Sequence, residues 1–230
     1  MKEQEYMVEA RGISRTYPGA VPVHALKDTS VAFRKGEFTA VIGKSGSGKS
    51  TFLRILATLD RSDTGELWIE GTDVCKASDK ELARFRRRRI GYIYQDYNLF
   101  PEYTAYENVI FPIHLDGRTE DPAQIEALLE KLGISHCRDK FPQEMSGGEQ
   151  QRVSIARALA INPAVILADE PTGNLDAENA EKVAELLRFC CDEFGQTIVM
   201  VTHDQSMADY ADRIVRIADG VVSEQGAPCL

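Results

Sequence analysis

Along the chain, apolar residues gather in short runs bounded by turn residues, and elsewhere they recur at helical spacing. Phe38-Thr39-Ala40-Val41-Ile42, Ile90-Gly91-Tyr92-Ile93-Tyr94, Ala164-Val165-Ile166-Leu167-Ala168 and Thr197-Ile198-Val199-Met200-Val201 read as strands of a buried sheet. Ahead of them, Met7-Val8-Glu9-Ala10 and Val31-Ala32-Phe33 predict a small antiparallel sheet, and Glu66 to Gly71 alternates as a half-buried strand. Residues 104–141 are patterned as helix, with Ile125, Leu128, Leu129 and Leu132 on one face of a segment started by Asp121-Pro122 and stopped by Gly133. Further helices are predicted at 153–160, before Asn162-Pro163, and at 177–194. Arg213 to Ile217, Asp219-Gly220 and Val221 to Glu224 read as a hairpin. The expected architecture is α/β: a mostly parallel sheet core, an N-terminal antiparallel β subdomain and a helical insert subdomain. A single domain over 1–230 is expected, with the antiparallel sheet and core at about 1–95 and 163–230 and the insert at about 96–162.

The turn after the first buried strand carries the most specific chemistry. Gly43-Lys44-Ser45-Gly46-Ser47-Gly48-Lys49-Ser50-Thr51 fits the P-loop pattern G-x-x-x-x-G-K-[ST] and stands between a strand and the helix-like run Phe52 to Leu56. Gly43, Gly46 and Gly48 let the backbone turn with no Cβ in the way, so several N–H groups can converge on one anion. The helix that starts there offers free N–H groups and a positive dipole end. Lys49 adds a point charge for the terminal phosphates, and the Ser50 hydroxyl is placed for Mg²⁺. The core is therefore expected to be a P-loop NTPase.

Other groups fall at the carboxyl ends of predicted strands, where open α/β sheets place their ligands. Gln95 and His203 are each readable as a ligand contact or as a plain loop residue. Asp169 and Glu170 end the run 164–168. Adjacent strand residues point opposite ways, so one carboxylate is expected to hold the Mg²⁺ shell while Glu170 polarises an attacking water. Ser146-Gly147-Gly148-Glu149 opens a helix and forms a second potential phosphate site. Tyr17 is expected in a loop ahead of the P-loop, either packed or stacked on a purine face. Two anion sites in one small chain suggest that each completes a site on another copy.

Composition narrows the partners. Against 27 basic residues stand 36 acidic ones, a formal net charge of −9, which argues against a general nucleic-acid surface. The basic run Arg84 to Arg89 reads as a solvated helix face or as an anion-binding patch. No run approaches the ~18 apolar residues that span a bilayer, and the first residues are polar where a signal peptide is apolar. A cytoplasmic chain is expected, reaching membranes only through a partner. The five cysteines are odd in number and lack the spacing of a zinc site, so reduced thiols are expected. Cys229, second from the end, does not fit a prenylation box.

With these residues in this order, the chain resembles the ATP-binding cassette ATPases over nearly its whole length. The P-loop, Gln95 after its strand, the signature Met145 to Glu149, strand-borne Asp169-Glu170, the Asn174-Leu175-Asp176 loop and His203 carry the resemblance. It implies a head-to-tail dimer with each ATP between one P-loop and the other copy's signature. It also implies that Tyr17 stacks on adenine, Lys49 binds phosphate, and Ser50, Gln95 and Asp169 arrange Mg²⁺. Glu170 is then the general base, His203 contacts the γ-phosphate, Asp176 couples the two sites, and Ser146 and Gly148 close the partner's site. The family signature often reads LSGGQ. Here Met145 replaces leucine and Glu149 replaces the amide.

Val23 to Lys27, Ala57 to Asp60, Arg86 to Arg89 and Pro171 to Asp176 resemble one bacterial branch, which serves permeases of the macrolide-export, lipoprotein-release and antimicrobial-peptide-resistance type. The resemblance implies a separate integral membrane permease docked on the helical insert and the loop after Gln95, with the cassette peripheral on the inner face of the membrane. A soluble cassette protein acting on the ribosome or nucleic acid, and a cell-division ATPase gating a wall hydrolase, are the alternative functions.

Overall fold

The computed structural model describes residues 5–224, so Cys229 lies outside the described residues. Two long antiparallel strands open the chain, β1 (Tyr6–Tyr17) and β2 (Val23–Arg34), and they exceed the short runs expected from apolar patterning alone. Their polar positions face solvent on one side, which hides the strand period from a reading of apolar runs. Then come β3 (Phe38–Ile42), α1 (Lys49–Leu56), β4 (Thr64–Ile69), β5 (Thr72–Asp73), α2 (Asp79–Arg89) and β6 (Ile90–Ile93). The helical stretch holds α3 (Ala105–Leu115), α4 (Pro122–Lys131), two single 3₁₀ turns at Ser135–Cys137 and Pro142–Glu144, and α5 (Gly147–Leu159). The chain closes with β7 (Val165–Asp169), α6 (Ala177–Phe194), β8 (Thr197–Thr202), α7 (Gln205–Ala208), β9 (Arg213–Ala218) and β10 (Val221–Glu224).

The strands form two sheets, β2-β1-β4-β5, wholly antiparallel, and β10-β9-β3-β8-β7-β6, parallel except for the terminal hairpin. Alternation along the central strands divides the core. Phe38, Ala40, Ile42, Ile166, Ala168, Ile198 and Met200 face α3, α5 and α6, whereas Val41, Val165, Leu167, Val199 and Val201 face α1 and the antiparallel sheet. Covering on both faces explains why these strands read as continuous apolar runs.

Helix boundaries follow their caps. Ser78, Thr104 and Ser146 each close a capping box with the glutamate three residues on, and Asp121, Asp176 and Asp204 cap α4, α6 and α7 through a side-chain oxygen. The arginine run is not a free basic face. Arg86 donates to Thr58 O at 2.8 Å, Arg87 to Leu115 O at 3.1 Å, and Arg88 Nε to both oxygens of Asp116 at 2.8 and 2.9 Å, while Arg89 pairs with Glu70. These bonds fasten α2 to the end of α1 and to the end of α3.

Candidate active site

The P-loop turns where its glycines allow. Gly46 and Gly48 have φ of 76° and 104°, and a Cβ at Gly48 would lie 2.3 Å from Ala25 O. At Gly43 a Cβ would lie 2.3 Å from Ile217 O, so β2 and β9 both press on the loop. Gly220 N donates to Ser47 O at 3.0 Å and ties the loop to the β9–β10 turn. Lys44, Ser45 and Gly46 are exposed at its tip, Ser47 is buried, and Thr51 sits half-buried in the first turn of α1. Lys49 is only 6% exposed, and its Nζ reaches back over the loop to Gly43 O at 2.8 Å and Lys44 O at 3.1 Å.

Beside the loop, Ser50 Oγ donates to Asp169 Oδ1 at 3.3 Å and Tyr92 OH donates to Asp169 Oδ2 at 3.3 Å. Burial raises the Asp169 carboxyl above its usual range, and it likewise raises the Tyr92 phenol. A half-buried carboxylate beside a hydroxyl is a pair of hard oxygen donors, the kind Mg²⁺ takes together with substrate phosphates. The residues present therefore fit a Mg²⁺ ion.

Strand alternation does not separate the two carboxylates. β7 ends at Asp169, and Glu170 adopts a left-handed φ of 46°, its N–H held by Val201 O at 2.9 Å. This conformation costs a non-glycine residue of order 1 kcal/mol and concentrates at functional sites. The turn swings Glu170 toward β8, where Oε2 lies 2.5 Å from His203 Nδ1 and Oε1 lies 3.9 Å from Lys49 Nζ. Lys49, Ser50, Asp169, Glu170 and His203, drawn from three stretches of sequence, thus meet at one sheet edge.

Gln95 stands two residues beyond β6, with Nε2 donating to Asn174 Oδ1 at 3.3 Å, and Asn174 Nδ2 donates back to Gln95 O and to Asp96 Oδ1. A Cβ on Gly173 would lie 2.8 Å from Gln95 Nε2. The glutamine side chain is thereby seated on the loop between β7 and α6.

Tyr17 is not in a loop. It is the last residue of β1, paired with Val23, and its hydroxyl donates to Asp60 at 2.7 Å while Arg15 lies 4.9 Å above its ring. The Pro18-Gly19 turn begins after it, and an aromatic strand end was indistinguishable from a loop aromatic in the apolar pattern.

The signature segment is built into the same chain's loops. Ser146 Oγ accepts from Glu149 N at 3.3 Å and donates to Glu149 Oε2 at 2.7 Å. The Ser146 hydroxyl and N–H, with His136 and Cys137 adding bonds, hold the Glu149 carboxyl far below its usual range. A Cβ on Gly147 would lie 2.8 Å from Tyr97 OH, and one on Gly148 would lie 2.8 Å from Asn179 Oδ1. Asp176 accepts from Asn179 N at 2.9 Å and from Asn179 Nδ2 at 2.8 Å, and these bonds lower its carboxyl's pKa.

Several supporting residues carry no motif. Gln151, fully buried on α5, donates to Pro171 O at 2.6 Å and links the signature helix to the loop after Glu170. Arg157, its pKa lowered by burial, donates to Tyr97 O and Asn98 O, both in left-handed backbone after Gln95. Polar residues on an apolar helix face were the available signal for both.

The sequence profile of the ABC transporter family matches residues 26–173. The lipoprotein-releasing system ATP-binding protein LolD of Porphyromonas gingivalis is 44% identical over 94% of this chain and 98% of that protein. The macrolide export ATP-binding/permease protein MacB of Agrobacterium fabrum is 46% identical over 95% of this chain but only 34% of its own length. A dimeric ATP-binding cassette solved in a post-hydrolysis state with ADP and Pi superposes with a TM-score of 0.85 at 38% identity, covering 96% of this chain and 100% of that one. Profile, sequence identity and fold agree with the geometry of the P-loop edge: the chain belongs to the ABC transporter family, as an ATP-binding cassette.

Proposed function

We propose that this cassette is the ATP-hydrolysing subunit of a bacterial transporter whose permease is a separate chain, of the lipoprotein-release or macrolide-export type. The observation that carries this reading is Glu170, held between Lys49 and His203 beside the Ser50–Asp169 pair. In this reading Tyr17 stacks on adenine, residues 43–51 wrap the phosphates, and Lys49 exchanges its backbone carbonyl partners for phosphate oxygens. Ser50, Gln95 and Asp169 would hold Mg²⁺, which would supply positive charge against the phosphates. Glu170 takes a proton from the attacking water, and His203 orients Glu170 and contacts the γ-phosphate. Ser146, Gly147, Gly148 and Glu149 of a second copy close the site, and Asp176 joins the two halves.

Among the described residues no helix is long and apolar enough to cross a membrane, which suits an engine that acts through another chain. The cassette then works on the cytoplasmic side, peripheral on the inner face, with the helical subdomain of about 96–162 and the loop after Gln95 turned to the permease. The net charge of −9 supports a partner other than nucleic acid. Purification of the tagged chain from solubilised native membranes tests this. Co-purification of one permease, with ATP turnover lost in Glu170→Gln, is expected. Recovery of ribosomes or nucleic-acid-binding proteins with no membrane partner overturns it.

A further inference from the structure

The carboxylate that departs from the usual signature amide has a second set of partners. Glu149 Oε1 lies 2.7 Å from His136 Nε2 and accepts from Cys137 Sγ at 3.3 Å. The three ligand atoms all fall within 4.8 Å of one another. Imidazole, thiolate and carboxylate are the donors of a zinc-type ion, and tetrahedral bonds to them put ligand atoms roughly 3.3–3.6 Å apart. The sulfur–oxygen separation is already at that spacing, and the nitrogen–oxygen pair reaches it by moving apart by under about an ångström.

We propose that His136, Cys137 and Glu149 form a binding site for a zinc-class divalent cation at the start of the signature helix, open to solvent at its fourth position. The proposal goes beyond the transporter reading and does not depend on it.

The site is pre-ordered. Cys137 is fully buried, with its N–H on Ile134 O and its carbonyl accepting from Lys140 N, both at 2.9 Å. The next residues are stitched to the start of α3, where Ala105 N donates to Lys140 O at 2.8 Å and Tyr106 N to Arg138 O at 3.0 Å. The Ser146 hydroxyl and N–H both donate to Glu149 Oε2 at 2.7 Å, which leaves Oε1 for the ion and supplies the outer-shell bonds that ligating carboxylates have. The ion thus sits one carboxylate away from Ser146.

Charge also closes. A thiolate and a carboxylate neutralise a dication, and His136 contributes a neutral nitrogen. The ion displaces the Cys137 thiol proton to solvent. Lys140 Nζ, 4.0 Å from Glu149 Oε1, is on a side chain exposed enough to swing into solvent.

Cobalt titration of the reduced, EDTA-stripped full-length chain without nucleotide provides the test. One equivalent of Co²⁺ is expected to give a thiolate-to-cobalt charge-transfer band that Zn²⁺ abolishes. Cys137→Ser should lose the band. His136→Ala, at an exposed position, should weaken Co²⁺ binding by more than the roughly 10–100-fold that an outer-shell change costs. Absence of the band in the wild type, or an unchanged band and affinity in both variants, overturns the proposal. The latter result would put the ion on another thiol of the chain, Cys75, Cys190, Cys191 or Cys229.

Discussion

Glu170 and His203 share a hydrogen bond of 2.5 Å across the ends of β7 and β8, and a left-handed backbone turn at Glu170 makes it possible. The turn places the carboxylate off the strand's own alternation and toward Lys49, so the group has one cationic neighbour and one imidazole neighbour. A carboxylate in this position is able to accept a proton from water while its backbone stays fixed by Val201 O.

Glu170→Gln keeps the size and a group that can hydrogen-bond His203 but removes the basic oxygen. ATP turnover should fall by about 10²–10⁴-fold, the usual contribution of a general base, with ATP binding retained. A dimer trapped by ATP should accumulate on size exclusion. Wild-type turnover in this variant would remove Glu170 from the chemistry.

Lys49 stands apart from Glu170 in what its loss should change. Its Nζ has two carbonyl partners inside the P-loop and is nearly buried, so the charge is already aimed at the cradle. Charge-assisted bonds contribute about 1.5–3 kcal/mol. Lys49→Ala should accordingly weaken ATP binding by roughly ten- to a hundredfold, as read by isothermal titration. Unchanged affinity would mean that the lysine acts only on the loop's own carbonyls.

Gly148 leaves no room for a side chain. A Cβ there meets Asn179 Oδ1 at 2.8 Å, and Asn179 is not free to retreat because its Nδ2 donates to Asp176. Alanine gains up to about 1 kcal/mol of helix propensity, but overpacking costs about 1–3 kcal/mol, so Gly148→Ala should be net destabilising in urea. Combined with Asn179→Ala, the loss should fall short of the sum by about 0.5–3 kcal/mol. Strict additivity would show that the two residues do not meet.

Much of the fold was legible because the central strands are covered on both faces, and the P-loop because glycine, lysine and serine are placed by phosphate geometry. Less legible were elements that depend on partners distant in sequence. The lengths of β1 and β2 come from pairing along half-exposed edges, and Tyr17 lies in that pairing. The placing of Gln95 depends on Asn174, and that of Glu170 on a single φ. Cysteine spacing concealed the cluster at Cys137, whose companions are a histidine next to it and a glutamate on another helix. The arginine run illustrates the same limit, since charge density alone did not reveal its acceptors.

One of those acceptors makes a pH-dependent contribution. Arg88 Nε bonds both oxygens of Asp116, Arg118 Nε lies 3.1 Å from Oδ2, and Arg87 adds its field, so the Asp116 carboxyl is held below its ordinary value of 3.8. A depressed carboxyl pKa stabilises the fold fully above the unfolded value, and that stability is lost as pH falls through the lower folded value. Asp116→Asn should therefore unfold at lower urea than the wild type at pH 7, and the gap should narrow progressively as pH drops below about 4. The midpoint difference, followed by circular dichroism across that range, measures the clasp between α2 and α3. A gap that stays constant down to acid pH would show that the loss is one of packing rather than of the ionised pair.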